Sequence, residues 1–197
     1  MMEARTARGR PRNSAIDARI LGATREALAR GGYHAVSMEA VAHAAGVGKQ
    51  SLYRRWPRKP LLVFDAAFGG PIGDRAFAVD TGSLAGDIGA VLTDLEHLFA
   101  HRATTDVMRG ILADALGEAD TLQQLRERFM WPRLHLLDAL IERGRARGEV
   151  GPNVTVQNVA DTLLGAMLGH YLIIGRTSGT FASELARIVA RGVSVRR

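Results

Sequence analysis

Apolar side chains recur at steps of three and four residues along most of this 197-residue chain. That spacing is the period of an α-helix with one buried face, whereas a half-buried strand alternates at every second residue. After residue 83, segments with the helical period are predicted at about 84–101, 104–117, 120–147, 155–175 and 179–193. No stretch shows convincing strand alternation, and the chain is therefore predicted to be all-α.

Shorter helices are predicted ahead of residue 69, where caps, glycines and prolines bound each one. They run over about 14–30, 38–45, 48–55 and 59–68. Ser37 is a suitable N-cap, and Glu39 lies in the first turn, where an acidic side chain favours the helix dipole. Pro57 ends the third helix, because the residue before a proline disfavours the α region. Pro132 lies inside a longer predicted helix and should kink or interrupt it.

The stretch at residues 69–83, GGPIGDRAFAVDTGS, is rich in glycine and turn residues and has no clear period. Such composition is typical of a linker. It separates a predicted N-terminal domain at 13–68 from a predicted C-terminal domain at 84–197. Residues 1–12 form a basic arm ahead of both.

Composition excludes several classes of protein. The chain has no cysteine, which removes disulfides, thiol nucleophiles and cysteine-based metal sites. The basic, polar start has no apolar core, so it does not resemble a secretory signal. The most apolar run, about 163–174, is too short to span a bilayer. We therefore expect a soluble, cytoplasmic protein.

Positive charge is concentrated in the first 60 residues. They hold twelve of the 26 basic residues and only four of the 20 acidic ones, while the remainder is slightly acidic. This split favours a polyanionic partner, with nucleic acid ahead of a membrane surface, although a charged face can also be simply solvated. In the arm, Arg10 and Arg12 lie beside a Gly-Pro that suits a narrow minor groove; a solvated tail fits equally well.

The stretch from Ser37 to Lys59 predicts two short helices joined by a glycine-containing turn. This is the helix-turn-helix unit, whose second helix enters the major groove of DNA. Leu52 and Trp56 would anchor that helix to the core. Its N-terminal face would then present polar side chains to the bases.

Candidate DNA contacts follow from the chemistry of these side chains. Gln50 can form paired hydrogen bonds with adenine, and Lys49 or Arg54 can reach guanine or phosphate. Ser51 lies on the same short helix, which begins at Gly48. Phosphate contacts that fix the register are expected from Ser37, Tyr53 and Lys59.

The GVGK within this stretch also invites comparison with a nucleotide-binding loop. That loop needs G-x-x-x-x-G-K-[ST] after a strand. His43 stands where its first glycine would be, Gln50 stands where Ser or Thr is required, and no strand is predicted ahead of it. A nucleotide-binding loop is therefore rejected.

The run SMEAVAHAAGVGKQSLYRRWPRKPLLV (Ser37–Val63) resembles the DNA-binding domain of TetR-family transcriptional regulators. The shared pattern is a Ser/Thr cap, Val-Ala, Ala-Gly-Val at the turn, Leu-Tyr, an aromatic residue and a following lysine. These positions are Ser37, Val41-Ala42, Ala45-Gly46-Val47, Leu52-Tyr53, Trp56 and Lys59. Gly48 and Arg58 depart from it, each standing where a small polar residue is common.

The resemblance implies an N-terminal three-helix helix-turn-helix DNA-binding domain and a helical C-terminal ligand-binding and dimerisation domain. It implies a homodimeric repressor, released from a pseudo-palindromic operator by an unidentified small molecule. No cofactor is expected. No nucleophile elbow, paired carboxylates or dinucleotide fingerprint emerges, so no enzyme is predicted.

Two sets of C-terminal residues are candidates for the functions that the resemblance implies. Aromatic residues and histidines predicted to line a mostly apolar effector pocket are Phe129, Trp131, His135, His170 and Tyr171. Residues predicted to pair two subunits through the last two helices are Leu164, Met167, Leu168, Leu172, Leu185, Ile188 and Val189. An ordinary core is the alternative for both sets.

Three polar residues, Asp94, His97 and His101, lie on one face of a predicted helix and could offer metal ligands. No second cluster accompanies them, and no metal site is predicted. Other functions stay open: a DNA-packaging protein without operator preference, a helical enzyme whose basic end binds phosphorylated substrates, or membrane-surface binding through the arm.

Overall fold

The structure is a computed structural model that describes residues 14–69, 78–175 and 179–194, and within these ranges every regular element is helical. The N-terminal helices are α1 (Ser14–Gly31), α2 (Met38–Ala44), α3 (Lys49–Tyr53) and α4 (Lys59–Phe68), with a 3₁₀ turn at Tyr33–Ala35. The C-terminal helices are α5 (Leu84–Phe99), α6 (Arg102–Leu116), α7 (Ala119–Leu125), α8 (Trp131–Ala146), α9 (Val156–Leu168) and α10 (Phe181–Val193). The all-α prediction is confirmed. The arm at 1–12, with Arg10 and Arg12, and residues 70–77 of the predicted linker lie outside the described residues.

The predicted helix starts and stops have identifiable local causes. The Ser37 hydroxyl accepts a hydrogen bond from the Ala40 amide at 3.5 Å, so it caps α2 as expected. Gly46 has a φ of 62°, a left-handed conformation that glycine adopts without steric cost. Pro60 lies in the first turn of α4, where its missing N–H costs no helical hydrogen bond.

The helix predicted over 120–147 is interrupted as Pro132 requires. A π-helical segment, Arg126–Met130, separates α7 from α8 and ends just before Trp131 and Pro132. Because Pro132 has no N–H, it cannot donate to the carbonyl four residues earlier. The chain passes this point through a wider turn rather than a regular α-helix.

Buried apolar residues form a cluster that spans the N-terminal and C-terminal helices. In the N-terminal part its fully buried members include Ile20, Leu52, Leu61 and Leu62. In the C-terminal part, α5 packs along α10, and α4 packs against α6. The N-terminal helices are therefore seated on the C-terminal domain rather than tethered loosely to it.

A buried carboxylate stabilises the start of α5. Asp87 is fully buried, and its oxygens accept hydrogen bonds from the Thr81 amide at 2.7 Å and from the Arg147 guanidinium at 2.8 Å. Burial alone would raise the pKa of Asp87, but these donors together hold the pKa below its ordinary value. The network joins the segment before α5 to the end of α8.

In the described part of the chain, no helix is both long enough and apolar enough to cross a bilayer.

Candidate nucleic-acid interface

The turn between α2 and α3 is built from backbone hydrogen bonds and two buried anchors. The Val47 amide donates to the Ala42 carbonyl at 3.0 Å, which closes the turn around Gly46. Leu52 and Trp56 are buried beneath α3, as predicted from the sequence. The opposite side of α3 is left exposed, with Gly48, Lys49, Gln50, Tyr53 and Arg54 all in contact with solvent.

Gly48 caps α3 through its backbone. Its carbonyl accepts hydrogen bonds from the Ser51 and Leu52 amides at 2.9 and 3.3 Å. Its φ of −67° suits any residue, and no atom lies within 4 Å of the Cβ that a side chain would add. A serine, the residue common at this position, would therefore also fit here. The glycine that this chain has instead does not change the fold.

Lys49, the first residue of α3, is paired with a carboxylate. Its Nζ lies 2.5 Å from Oε1 of Glu39 on α2, and the two side chains are 60% and 65% exposed. The hydrogen bond to Glu39, together with its charge, raises the pKa of Lys49. The lysine is thus fully protonated at neutral pH and presented to solvent beside an acid.

Arg55 holds α3 against α1, a role that the sequence reasoning missed. Its Nε donates to Asp17 Oδ1 at 2.6 Å, and its Nη1 donates to the Ser51 carbonyl at 2.8 Å and the Ser51 hydroxyl at 2.7 Å. The Ser51 hydroxyl accepts a hydrogen bond from Arg55, so Ser51 helps to hold α3 in place. The backbone carbonyl of Arg55 also accepts a 3.1 Å hydrogen bond from Arg128 of the π segment.

The predicted phosphate contacts differ in their surroundings. Tyr53 is 42% exposed, and Ser37 is exposed while its hydroxyl caps α2. Lys59 begins α4, and its Nζ lies 4.1 Å from the centroid of the buried Tyr33 ring. Desolvation lowers the pKa of Lys59, although the negative charge of Asp114 opposes this effect. Lys59 therefore lies close enough to α6 of the C-terminal domain for the charge of Asp114 to affect it.

The residues predicted to line an effector pocket belong to separate aromatic groups. Phe129 is buried and packs on Phe64 of α4, with ring centroids 4.2 Å apart. His170 stacks on Phe181 at 3.7 Å, and the buried Tyr171 donates a 2.8 Å hydrogen bond to Glu96. Trp131 and His135 are exposed. The five residues thus belong to different groups of contacts, and the pocket stays a prediction.

A cleft of about 370 Å³ lies between the end of α4 and the π segment. Phe129, Arg128 and Arg133 contribute to its walls. Arg133 donates to the Phe68 carbonyl at 3.2 Å, at the C-terminal end of α4. The cleft therefore borders the contacts that join the two domains, a position that sequence periodicity does not indicate.

The predicted dimer residues divide between the inside and the outside of the protomer. Met167, Leu172, Leu185 and Val189 are buried within it, and Leu168 is partly buried. Leu164 and Ile188 point outward and are 38% and 67% exposed. The chain continues from α9 as a π-helical segment, Gly169–Ile174, and two exposed residues at its end were missed, Ile173 and Ile174.

The described residues contain no group of three or more His, Asp or Glu side chains placed to hold a metal ion. Asp94, His97 and His101 are exposed on and just after α5.

An exposed recognition helix in a helix-turn-helix, seated on a larger helical domain, defines a two-domain DNA-binding protein. The family pattern described as "Bacterial regulatory proteins, tetR family" matches residues 20–66, and that described as "Tetracyclin repressor-like, C-terminal domain" matches residues 78–191. The chain belongs to the TetR family of bacterial transcriptional regulators. The predicted family, the fold and a ligand-responsive, DNA-binding regulatory function are confirmed.

Similar proteins cover nearly the whole chain. The HTH-type transcriptional regulator YdeS of Bacillus subtilis is 30% identical over 187 residues, which are 94% of this chain and 93% of YdeS. The DNA-binding transcriptional repressor TetR of Mycobacteroides abscessus is 33% identical over 172 residues, 86% of each chain. The crystal structure of the TetR-family regulator SCO0332 superposes with a TM-score of 0.75 at 27% identity, covering 91% of this chain and 99% of that one.

Proposed function

We propose that this protein is a homodimeric repressor that binds a pseudo-palindromic operator and is released from it by a small molecule. The observation that carries the proposal is the anchoring of α3: Leu52 and Trp56 hold it from inside, and Arg55 holds it from the side. Its polar face is thereby fixed and exposed, as a reading helix requires. The protein acts by binding rather than by catalytic turnover, and it acts in the cytoplasm.

Base and phosphate contacts have separate roles in this proposal. Gln50 and Arg54 read base edges in the major groove, where amide and guanidinium groups distinguish adenine and guanine. Tyr53, Ser37 and Lys59 bind phosphates and set the register of the helix. Two observations support this division: Gln50 is exposed on α3 and Arg54 directly after it, whereas Ser37 and Lys59 lie at the starts of the neighbouring helices α2 and α4.

Dimerisation rests on α9, the π-helical segment that follows it, and α10. Leu164, Ile173, Ile174 and Ile188 expose apolar side chains there, and a second copy would cover them by twofold symmetry. Two recognition helices in a symmetric dimer would reach successive major grooves, about 34–36 Å apart or slightly more. The operator is therefore expected to be a pseudo-palindrome.

Effector release is proposed to act through the contacts between domains. An effector can shift the protein away from its DNA-binding state only if it binds the other state more tightly. Arg128 and Arg133 border a cleft and also bond carbonyls at the ends of α3 and α4. A ligand that moved them would alter the placement of the recognition helix.

The test starts with selection of bound sequences from random DNA, followed by mobility shifts on the selected operator. Tyr53→Ala and Lys59→Ala should each weaken binding, and Lys59→Ala should also reduce the slope of log affinity against log salt by about one. Arg102→Ala is the matched control, because Arg102 is 93% exposed on α6 and its loss removes the same charge. Unchanged affinity in both variants would contradict the assigned roles. Uniform recovery of random DNA would instead indicate a DNA-packaging protein.

A further inference from the structure

A carboxylate lies beside the recognition helix, on the surface that is proposed to face DNA. Glu39 is 65% exposed and contacts Lys49 at 2.5 Å. Two other acids of the N-terminal helices have partners within the domain: Asp17 bonds Arg55, and Asp65 accepts from Trp56 Nε1 at 2.9 Å. Glu39 instead faces outward with the first residue of α3.

The negative charge of Glu39 would oppose DNA binding if this surface bound DNA only by electrostatic attraction. In free protein it neutralises Lys49, whose positive charge is unfavourable at the N-terminus of α3. Against DNA, however, the carboxylate approaches a dense array of phosphates. It is tolerated there only where a hydrogen-bond donor meets it. In the major groove such donors are the amino groups of adenine and cytosine.

The order of groups on a base-pair edge selects between these two donors. A G·C pair presents two neighbouring acceptors, guanine N7 and O6, followed by the cytosine N4 amino donor. In an A·T pair the donor lies between two acceptors. Guanine O6 and cytosine N4 are themselves hydrogen-bonded, about 2.9 Å apart. The Lys49 ammonium and the Glu39 carboxylate, 2.5 Å apart, present the complementary order of donor and acceptor at a similar spacing.

We propose that Lys49 and Glu39 read one G·C base pair in each operator half-site as a unit. Lys49 donates to guanine N7 and O6, and Glu39 accepts from the outward N4 hydrogen of the paired cytosine. This inference rests on the proposed function, since it requires α3 to lie in the major groove. Glu39 is then a specificity-determining residue, in addition to the contacts on α3 itself.

The experiment compares sequences selected from random DNA by the full-length protein, by Glu39→Ala and by a control, Glu26→Ala. Glu26 is an exposed acid on α1, so its removal changes the net charge equally. The parent protein and Glu26→Ala should share a consensus with a G·C pair at one position of each half-site. Glu39→Ala should lose discrimination at that position alone, by about tenfold. Both side chains are exposed, and circular dichroism verifies that the variants stay folded.

A chemical probe tests the same contact from the DNA side. N4-methylcytosine at the identified position keeps the base pair but replaces the outward N4 hydrogen. It should weaken binding by the parent protein about tenfold and leave Glu39→Ala binding unchanged. The proposal is overturned if Glu39→Ala selects the parent consensus with equal discrimination at every position, or loses affinity for all sequences alike. If the parent protein selects no consensus, the proposed function itself fails, which is a distinguishable result.

Discussion

The hydroxyl of Tyr33 donates a 2.6 Å hydrogen bond to Oδ2 of Asp114, which joins the turn after α1 to α6 of the C-terminal domain. The Tyr33 ring is buried, and the ammonium of Lys59 rests over it. Burial, with the added effect of Asp114, raises the pKa of Tyr33 well above its ordinary value, so the hydroxyl stays protonated as a donor. One side chain therefore contacts both a helix of the C-terminal domain and a proposed phosphate-binding lysine.

Removing this hydroxyl should lower stability by a measurable amount. Tyr33→Phe keeps the ring beneath Lys59 but leaves Asp114 without its donor. We expect the free energy of unfolding to fall by about 1 kcal/mol, the usual value of such a bond. Urea denaturation at neutral pH measures it. Tyr53→Phe is the control, because Tyr53 is 42% exposed whereas Tyr33 is only 4% exposed. Equal stability of the two variants would contradict the prediction.

A methyl group at Gly110 should disturb the same contact. A Cβ there would lie 2.4 Å from Cδ1 and Cγ of the Tyr33 ring, so the ring or the helix must shift. We expect Gly110→Ala to destabilise the protein by about 1–3 kcal/mol, although alanine is the better helix former. Because the displaced ring lies beneath Lys59, operator affinity should fall as well.

The matched control for Gly110→Ala is Gly89→Ala, within α5. There the nearest atom to an added Cβ is Ala186 Cβ at 3.8 Å, an ordinary contact. Thermal unfolding should show Gly89→Ala to be neutral or slightly stabilising. Equal melting temperatures for the two variants would show that the Tyr33 ring adapts without cost.

These contacts mark the limit of what the sequence predicts. Helix positions followed from local period, caps and prolines, and they agree with the structure to within a few residues. Arg55 with Asp17 and Tyr33 with Asp114 are separated by 38 and 81 residues. No local pattern connects such pairs, because they meet only when helices pack. The same reason explains why the packing of Phe129 against Phe64 of α4 was not foreseen; its role in an effector pocket stays a prediction.

Acid should weaken the protein through the buried Asp87. The pKa of Asp87 is lowered in the folded state. The contribution of its carboxylate to the free energy of unfolding is therefore complete above the ordinary carboxyl pKa of about 3.9. It is lost as pH falls through the lowered pKa of the folded state. Asp87→Asn should cost about 2 kcal/mol at neutral pH, since Arg147 then loses its buried partner. The difference in the free energy of unfolding between the parent protein and Asp87→Asn should shrink below about pH 4.

Asp80→Asn is the control for that series. Asp80 bonds the same arginine at 3.1 Å but is 56% exposed, so its loss should have a much smaller effect. Urea denaturation at several pH values between neutral and acid gives both curves. A constant difference between parent and Asp87→Asn across this range would show that the ionisation of Asp87 does not contribute.

Charge placed on the exposed apolar residues of α10 and of the π-helical segment after α9 should separate the proposed dimer. Ile173→Lys and Ile188→Lys each put an ammonium where a second copy is expected to bury an apolar side chain, at 82% and 67% exposure in the protomer. Burying an unpaired charge is costly, and we expect the dimer dissociation constant to rise about a hundredfold. Sedimentation velocity over a concentration series measures this dissociation constant.

Leu116→Lys is the control. It introduces the same charge at a 69% exposed leucine of α6 and should leave the dimer intact. Operator affinity should fall when the dimer is lost, because one protomer engages only one half-site. If all three variants sediment like the parent protein, the subunits pair through another surface.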